Sequence, residues 1–204
     1  MDGRGTMASF KKNEVRKMSQ EICRNRRIRF EIIVFAVVLQ FCFLSSAYAL
    51  PDVGTVAPGF TVTSGNGREL SLKDLSDTVI TIFYEPRTMV ESNRVLKDEL
   101  SRFYYAQSDK IKSIISRVSI IDCRHAFWPF TLLWKKELTK ASIKEKIIIY
   151  GDWNGNFAKS YGIISSKSNF IIIDKNRIVR YAKAGIIHKG EISRIKNLLT
   201  RLSK

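Results

Sequence analysis

The stretch TIFYEPRTMVESNRVLKDEL, Thr81–Leu100, decides the fold. Its beginning belongs to TVITIFYE (78–85), a β-branched and aromatic run that is typical of a buried central strand. From Thr88 to about Gln107 the apolar residues recur at helical spacing. One face of this segment carries Leu96, Leu100 and Phe103. We therefore expect a buried strand that runs directly into an amphipathic helix.

The segments that follow repeat the alternation of strand and helix. RVSIID (117–122) and KIIIYGD (146–152) are predicted strands, and a helix between them is predicted to begin near Pro129. Strands separated by helices are parallel, with right-handed crossovers. A hairpin over 169–183 and a helix over about 189–202 end the chain. The order predicts an α/β fold, a central mixed β-sheet with helices on both faces.

Residues 1–49 differ from the rest of the chain. The basic cluster RNRRIR (24–29) precedes an apolar run of 13 residues, Ile32–Leu44, that only Gln40 interrupts. A membrane-spanning helix needs about 20 residues, whereas a signal-peptide core needs roughly 7–15. The small-x-small sequence AYA (47–49) follows. We predict a signal peptide cleaved near Ala49 and a periplasmic or secreted domain over 50–204; the alternative is a membrane anchor over residues 30–50.

Charge and cysteine content restrict the chemistry of this domain. Residues 50–204 contain 26 Lys and Arg against 15 Asp and Glu, a net charge of +11. A basic surface attracts anionic membranes or acidic partners, but the charges are spread out and form no nucleic-acid motif, so we do not expect nucleic acid. Cys123 is the only cysteine in this range. We therefore expect no intramolecular disulfide and no cysteine-based metal site.

Three short pieces carry a resemblance to a known fold. The chain resembles the thioredoxin-like superfamily, peroxiredoxins included, in APGF (57–60), IFYE (82–85) and FIIIDKNRIVRY (170–181). More narrowly, it resembles the YtfJ-like family of exported proteins in PRTMVESN (86–93), SIIDCRHA (119–126) and YAKAGIIHKGEISRIKNLL (181–199). The resemblance implies a thioredoxin-like fold and export, and it implies no particular substrate.

The strand–helix junction lacks the cysteine that redox members of this fold carry there. A thiolate is stabilised at a helix N-terminus by free N–H groups and by the helix dipole. Here the equivalent positions are Arg87, Thr88 and Glu91, and Ser168 stands near the usual cis-proline. Thr88-x-x-Glu91 predicts a capping box that fastens the helix start. An alternative is a small polar pocket formed by Arg87, Thr88 and Glu91.

Two further sets of residues suggest function. Cys123 ends a predicted strand, and His125 would face the same side if the backbone stayed extended, so the pair is a candidate single-thiol redox site. AFWPFTLLW (126–134) is apolar at eight of nine positions. A core-facing helix needs only one apolar stripe, so this segment is either a lid on the sheet or an interaction surface for a partner or a membrane. The candidate surface residues are Phe127, Trp128, Phe130 and Trp134.

We expect a binding or accessory protein of the cell envelope that lacks redox chemistry. The alternatives are a thiol oxidoreductase or peroxidase that uses Cys123 with His125, and a protein associated with an anionic membrane surface. The partner is an unidentified protein or a small ligand. No phosphate-binding glycine loop, zinc spacing or hydrolase motif is present, so we expect no metal and no cofactor.

Overall fold

A computed structural model describes residues 49–204. The predicted signal peptide, including its basic cluster and apolar run, lies outside these residues apart from Ala49. The same holds for most of the alternative anchor over residues 30–50. Both interpretations stay predictions.

Within residues 49–204, seven strands form one mixed sheet. They are β1 (Thr61–Ser64), β2 (Glu69–Ser71), β3 (Val79–Glu85), β4 (Ile115–Asp122), β5 (Ile149–Asp152), β6 (Asn169–Ile173) and β7 (Val179–Ala184). Their order across the sheet is β2-β1-β5-β4-β3-β6-β7. The central strands β3, β4 and β5 are parallel, and the strands on either side run antiparallel to their neighbours.

In the described part of the chain, five α-helices connect and cover these strands. They are α1 (Arg94–Tyr105), α2 (Asp109–Ile114), α3 (Phe130–Glu145), α4 (Asn156–Ser160) and α5 (Lys189–Leu202). Short 3₁₀ turns precede β3 at Leu72–Leu75 and follow it at Arg87–Met89. The predicted α/β sheet with helices on both faces is confirmed.

The apolar residues divide according to the alternation of side chains along each strand. On one face, Tyr84 of β3 packs with Phe157 of α4 and with Tyr161, which directly follows α4. The ring of Phe157 is stacked with both tyrosine rings. The opposite face carries two separate clusters. One joins β3 and β6 to α1 and α5, and the other joins β4 and β5 to α3. Because of this arrangement, α1, α3 and α5 share one face of the sheet.

The strand–helix junction departs from the prediction. The predicted helix over Thr88–Gln107 is wrong at its start, because α1 begins at Arg94. The preceding residues form successive tight turns. In these turns the N–H of Ser92 donates to the carbonyl oxygen of Met89, and the N–H of Arg94 donates to the carbonyl oxygen of Glu91. The cause is tertiary: the side chain of Asn93 turns inward to bond with distant residues, as described below.

Candidate functional site

One edge of the sheet gathers the ends of three neighbouring strands. Glu85 is the last residue of β3, Cys123 follows β4, and Ser168 directly precedes β6, which runs antiparallel to β3. Ligands of open α/β sheets bind beyond the carboxyl ends of the parallel strands. This edge is therefore the place where a thioredoxin-like fold would carry its chemistry.

The predicted capping box is not formed at this edge. Thr88 lies inside the 3₁₀ turn and is exposed, and the N–H of Met89 donates to Pro86 O. The Glu91 carboxylate instead accepts from Arg94 Nε at 2.8 Å and from its terminal nitrogen at 2.6 Å. These bonds hold the pKa of Glu91 below its ordinary value, although the side chain is exposed. Because the helix begins three residues later, Thr88 and Glu91 cannot cap it.

A buried polar network lies beneath this junction instead. The Lys97 ammonium donates to Glu85 Oε2 at 2.5 Å and to Val90 O at 2.7 Å. The Ser168 hydroxyl donates to Glu85 Oε1 at 2.7 Å, and Asn93 Nδ2 donates to the Ser168 oxygen at 2.9 Å. Glu85, Asn93 and Ser168 are all buried. The network links the end of β3, the start of α1 and the start of β6.

Asn93 extends this network to the segment before α5. Its Nδ2 also donates to Gly185 O at 2.9 Å, and its Oδ1 accepts the N–H of Ile187 at 2.9 Å. Every buried side-chain nitrogen and oxygen in residues 49–204 has a hydrogen-bond partner. A satisfied network of this kind fixes one arrangement of its elements.

The electrostatics of Glu85 follow from its burial. Desolvation raises the pKa of Glu85 above its ordinary value, and Lys97 and Ser168 oppose the rise. Neither Glu85, Lys97 nor Asn93 was a predicted site residue. The sequence did single out Glu85, since it is the one charged residue of the central strand β3. Ser168, a predicted site residue, does lie at this edge.

Cys123 lies at the same edge but is buried. Its exposed fraction is 1%, and its N–H donates to Asp152 O at 3.2 Å. Burial, helped by the nearby Asp122 and Asp152 carboxylates, raises the pKa of the Cys123 thiol to about 12, while Arg87 acts weakly in the opposite direction. These surroundings disfavour a thiolate near neutral pH.

The backbone also separates Cys123 from His125. The extended conformation ends at Cys123, and Arg124 and His125 form a turn that the Ala126 N–H closes onto Cys123 O at 2.9 Å. His125 is exposed, whereas the thiol is buried. The predicted pair of Cys123 and His125 required an extended backbone. The turn at Arg124 and His125 takes its place, so this requirement is not met.

Two carboxylates lie side by side next to Cys123. Asp122 and Asp152 are register partners at the ends of β4 and β5. Burial raises the pKa of Asp122, but the two guanidinium bonds of Arg124, at 2.9 and 2.6 Å, and its backbone N–H at 3.2 Å bring the net pKa below its ordinary value. Asp152 accepts the N–H groups of α4 and the hydroxyl of Tyr84 at 3.1 Å. Both carboxylates therefore have structural partners.

An exposed apolar surface lies beside this edge. The exposed fractions are 65% for Phe127, 82% for Trp128 and 49% for Phe130. The surface continues with Leu132 at 70% and Leu133 at 55%, which were not predicted as site residues. We call these five residues the aromatic surface. Single exposed apolar residues are common; here five of them fall within positions 127–133, and the Phe127 and Phe130 ring centres lie 5.2 Å apart.

Trp134 lies apart from the aromatic surface. It is half-buried and packs against the cluster under α3. The guanidinium of Arg87 stacks over its ring at 4.6 Å from the ring centre. Arg87 therefore fastens the 3₁₀ turn after β3 to α3 by a cation–π contact.

Neither a metal cluster nor a membrane-spanning helix is found within residues 49–204. No group of three or more His, Cys, Asp or Glu residues in this range is placed to hold a metal ion. In the same range, no helix is both long and apolar enough to cross a bilayer.

Comparison with solved structures shows the fold. A Chlorobium tepidum protein assigned as the thiol:disulfide interchange protein DsbE is 16% identical, with a TM-score of 0.54, over 76% of this chain and 100% of the other. A thiol peroxidase from Chromobacterium violaceum is 17% identical, with a TM-score of 0.53, over 76% and 90%. The exposed lipoprotein thioredoxin Etrx1 from Streptococcus pneumoniae is 13% identical, with a TM-score of 0.51, over 69% and 99%.

These similarities are confined to structure. No protein-family model matches the chain, and no curated protein matches it. At these identities the similarity establishes the architecture, and the chemistry has to be argued from the site itself.

Proposed function

Starting from a thioredoxin-like fold, we propose that this chain is an exported relative of the YtfJ-like family that acts as a non-catalytic binding or accessory protein of the cell envelope. One observation carries the proposal. The edge at which redox relatives need an accessible thiolate holds a closed network of Glu85, Lys97, Ser168 and Asn93. The nearby Cys123 is buried with a raised pKa. With these features, no thiolate is present in appreciable amount at this edge near neutral pH.

Redox assays test the absence of catalysis. The purified protein and Cys123→Ala should both leave insulin disulfides unreduced in the presence of dithiothreitol, beyond the rate of the reagent alone. They should also leave hydroperoxide unconsumed. Turnover by the unaltered protein that Cys123→Ala abolishes would establish the single-thiol enzyme and contradict the proposal.

Export is tested separately from catalysis. We expect mass spectrometry of the envelope or secreted fraction to find a mature protein that begins at Leu50. A protein that retains residues 30–50 in the membrane fraction would instead support the anchor. Leu50 packs against the core cluster on the α4 face, so the predicted cleavage would leave this contact intact.

A second candidate function, association with anionic membrane, is favoured by the aromatic surface. Its apolar side chains are followed along α3 by the exposed Lys135 and Lys136. Aromatic residues beside lysines suit the interface between lipid headgroups and water. We expect co-sedimentation with vesicles that contain anionic phospholipid, and weaker co-sedimentation with neutral vesicles.

Matched variants locate this membrane contact. Trp128→Ala should lower vesicle binding by about tenfold, because a Trp side chain contributes a large apolar area. Ile143→Ala is the control, since Ile143 is 74% exposed on the same helix but lies outside the aromatic surface. Equal binding by both variants would exclude the aromatic surface as the membrane contact. If the aromatic surface binds a protein partner instead, Trp128→Ala should abolish binding of that partner, and lipid charge should have no effect on it.

A further inference from the structure

A cleft of about 300 Å³ lies between α1 and α3 on the sheet face that these helices share. Its floor is formed by neighbouring strands in register: Phe83 of β3 is opposite Ser119 of β4, which is opposite Ile149 of β5. The side walls are formed by Leu100 of α1 and by Ile147, which follows α3.

The cleft exists because the two helices belong to separate apolar clusters. Leu100 packs in the cluster of α1 and α5, whereas Leu138 packs in the cluster of α3. The strip of sheet between them carries the small polar side chains of Thr81 and Ser119. Because these residues do not fill the space between the helices, the apolar floor around them stays accessible.

The lining of the cleft is rich in positive charge. Five cations border it against two carboxylates: Arg94, Lys97, Arg117, Lys144 and Lys146 against Asp98 and Glu145. Arg94 and Lys97 are engaged in ion pairs. In contrast, Lys144 and Lys146 form no ion pair with residues 49–204, and the Arg117 guanidinium lies over the Tyr104 and Tyr105 rings.

We propose that this cleft binds a single-chain amphiphile with an anionic head, namely a carboxylate on an unbranched alkyl chain. Small-molecule sites have volumes of about 300–1,000 Å³ and combine apolar walls with a few polar groups, so a cleft at the low end of this range suits one short chain. The alkyl chain lies on the floor around Phe83 and Ile121, and the carboxylate meets Lys144, Lys146 and Arg117. This site goes beyond the proposed function and does not rest on it, because neither Cys123 nor the aromatic surface lines the cleft.

The test is calorimetric titration of the full chain with sodium octanoate, decanoate and dodecanoate below their micelle concentrations. The dissociation constant should fall about fourfold for each added methylene until the cleft is full. Nonanol, which has the same nine-carbon alkyl group as decanoate but no charge, should bind at least about fivefold more weakly than decanoate. Failure of every carboxylate to bind, or equal binding of nonanol and decanoate, would overturn the proposal.

Variants locate the site. Lys144→Gln combined with Lys146→Gln should weaken decanoate binding at least about fivefold, because two exposed cations near the head are removed. Ser119→Phe should fill the floor and abolish binding. The control is Lys159→Gln, an exposed site on α4, which covers the opposite face. Unchanged affinity in the double lysine variant would overturn the assignment, whether or not Ser119→Phe folds.

One more variant separates this site from the aromatic surface. Trp128→Ser should bind decanoate as tightly as the unaltered protein, because Trp128 does not line the cleft. Loss of binding in Trp128→Ser would place the ligand on the aromatic surface and overturn the cleft. The redox assays test the proposed function independently of this result.

Discussion

Replacing Lys97 with Met tests the buried ion pair at the centre of the site. The Glu85 side chain is 1% exposed and that of Lys97 18%, with 2.5 Å between the ammonium and the carboxylate. Lys97→Met keeps the aliphatic stem of the side chain but removes the charge. Glu85 is then left with the Ser168 hydroxyl as its remaining partner. Breaking a buried pair in this way costs about 3–5 kcal/mol.

The cost should depend on pH in a defined direction. Burial raises the folded-state pKa of Glu85 above its unfolded value, so the native state binds more protons than the unfolded state between the two values. The stability that Glu85 contributes is therefore fully present below its pKa in the unfolded state. It is lost as pH rises through its pKa in the folded state. Removing Lys97 raises the folded pKa further and widens this interval. The penalty should be small near pH 4.5 and grow towards neutrality, by at most about 1.4 kcal/mol per pH unit.

The assay is urea unfolding followed by tryptophan fluorescence at several pH values. With a dependence on urea of about 2 kcal/mol/M, the midpoint of Lys97→Met at neutral pH should fall by roughly 2 M. Lys140→Met is the surface control: its ion pair with Glu137 is exposed, at 61% and 45%, and should contribute less than about 1 kcal/mol. In the double variant Glu85→Gln/Lys97→Met the pH dependence from this site should disappear.

A loss of stability in Lys97→Met that is small and does not change with pH would contradict a buried ion pair at this edge. If Lys97→Met cost no more than Lys140→Met and the difference did not change between about pH 5 and about pH 8, Glu85 would not be a buried ionised group. The network would then not be the structural core of this edge.

Three further outcomes are expected. Cys123 should react with iodoacetamide at pH 8 about a thousandfold more slowly in the native protein than in the protein unfolded by urea, because its thiolate is scarce in the folded state. A native rate within tenfold of the unfolded rate would show an accessible thiolate. Gly65→Ala should lower stability by about 1–3 kcal/mol, since its Cβ would lie 2.2 Å from a carbonyl oxygen of α3, whereas Gly59→Ala, with open space around it, should not. Asn93→Ala should lower the free energy of unfolding by about 1–3 kcal/mol and speed hydrogen exchange of the Ile187 N–H, which loses its acceptor. An unchanged exchange rate would contradict the role of Asn93 in holding the segment before α5.

Local patterns predicted most of the architecture. The β-branched run before Glu85 became β3, the hairpin formed over β6 and β7, and the last helix occupies Lys189–Leu202. These elements were predictable because their signals, alternation and helical spacing, depend on neighbouring residues.

The candidate site was predictable only in part. Among the candidate residues taken from the sequence, Ser168 does lie at the sheet edge, next to the end of β3. The capping box at Thr88 and Glu91 was wrong, because Asn93 bonds to Gly185 and Ile187 and thereby places the start of α1. These partners are more than 90 positions away along the chain, so no local pattern reveals them.

By itself the sequence determined an α/β chain of thioredoxin-like order with one cysteine in residues 50–204 and no thiol at the strand–helix junction. Only the tertiary structure decided that Glu85 and Lys97 form a buried pair there, that Cys123 is enclosed beside two carboxylates, and that a cationic cleft lies between α1 and α3. The physical reason is that burial and charge pairing depend on which distant segments pack together, whereas strand and helix preferences are set by adjacent residues.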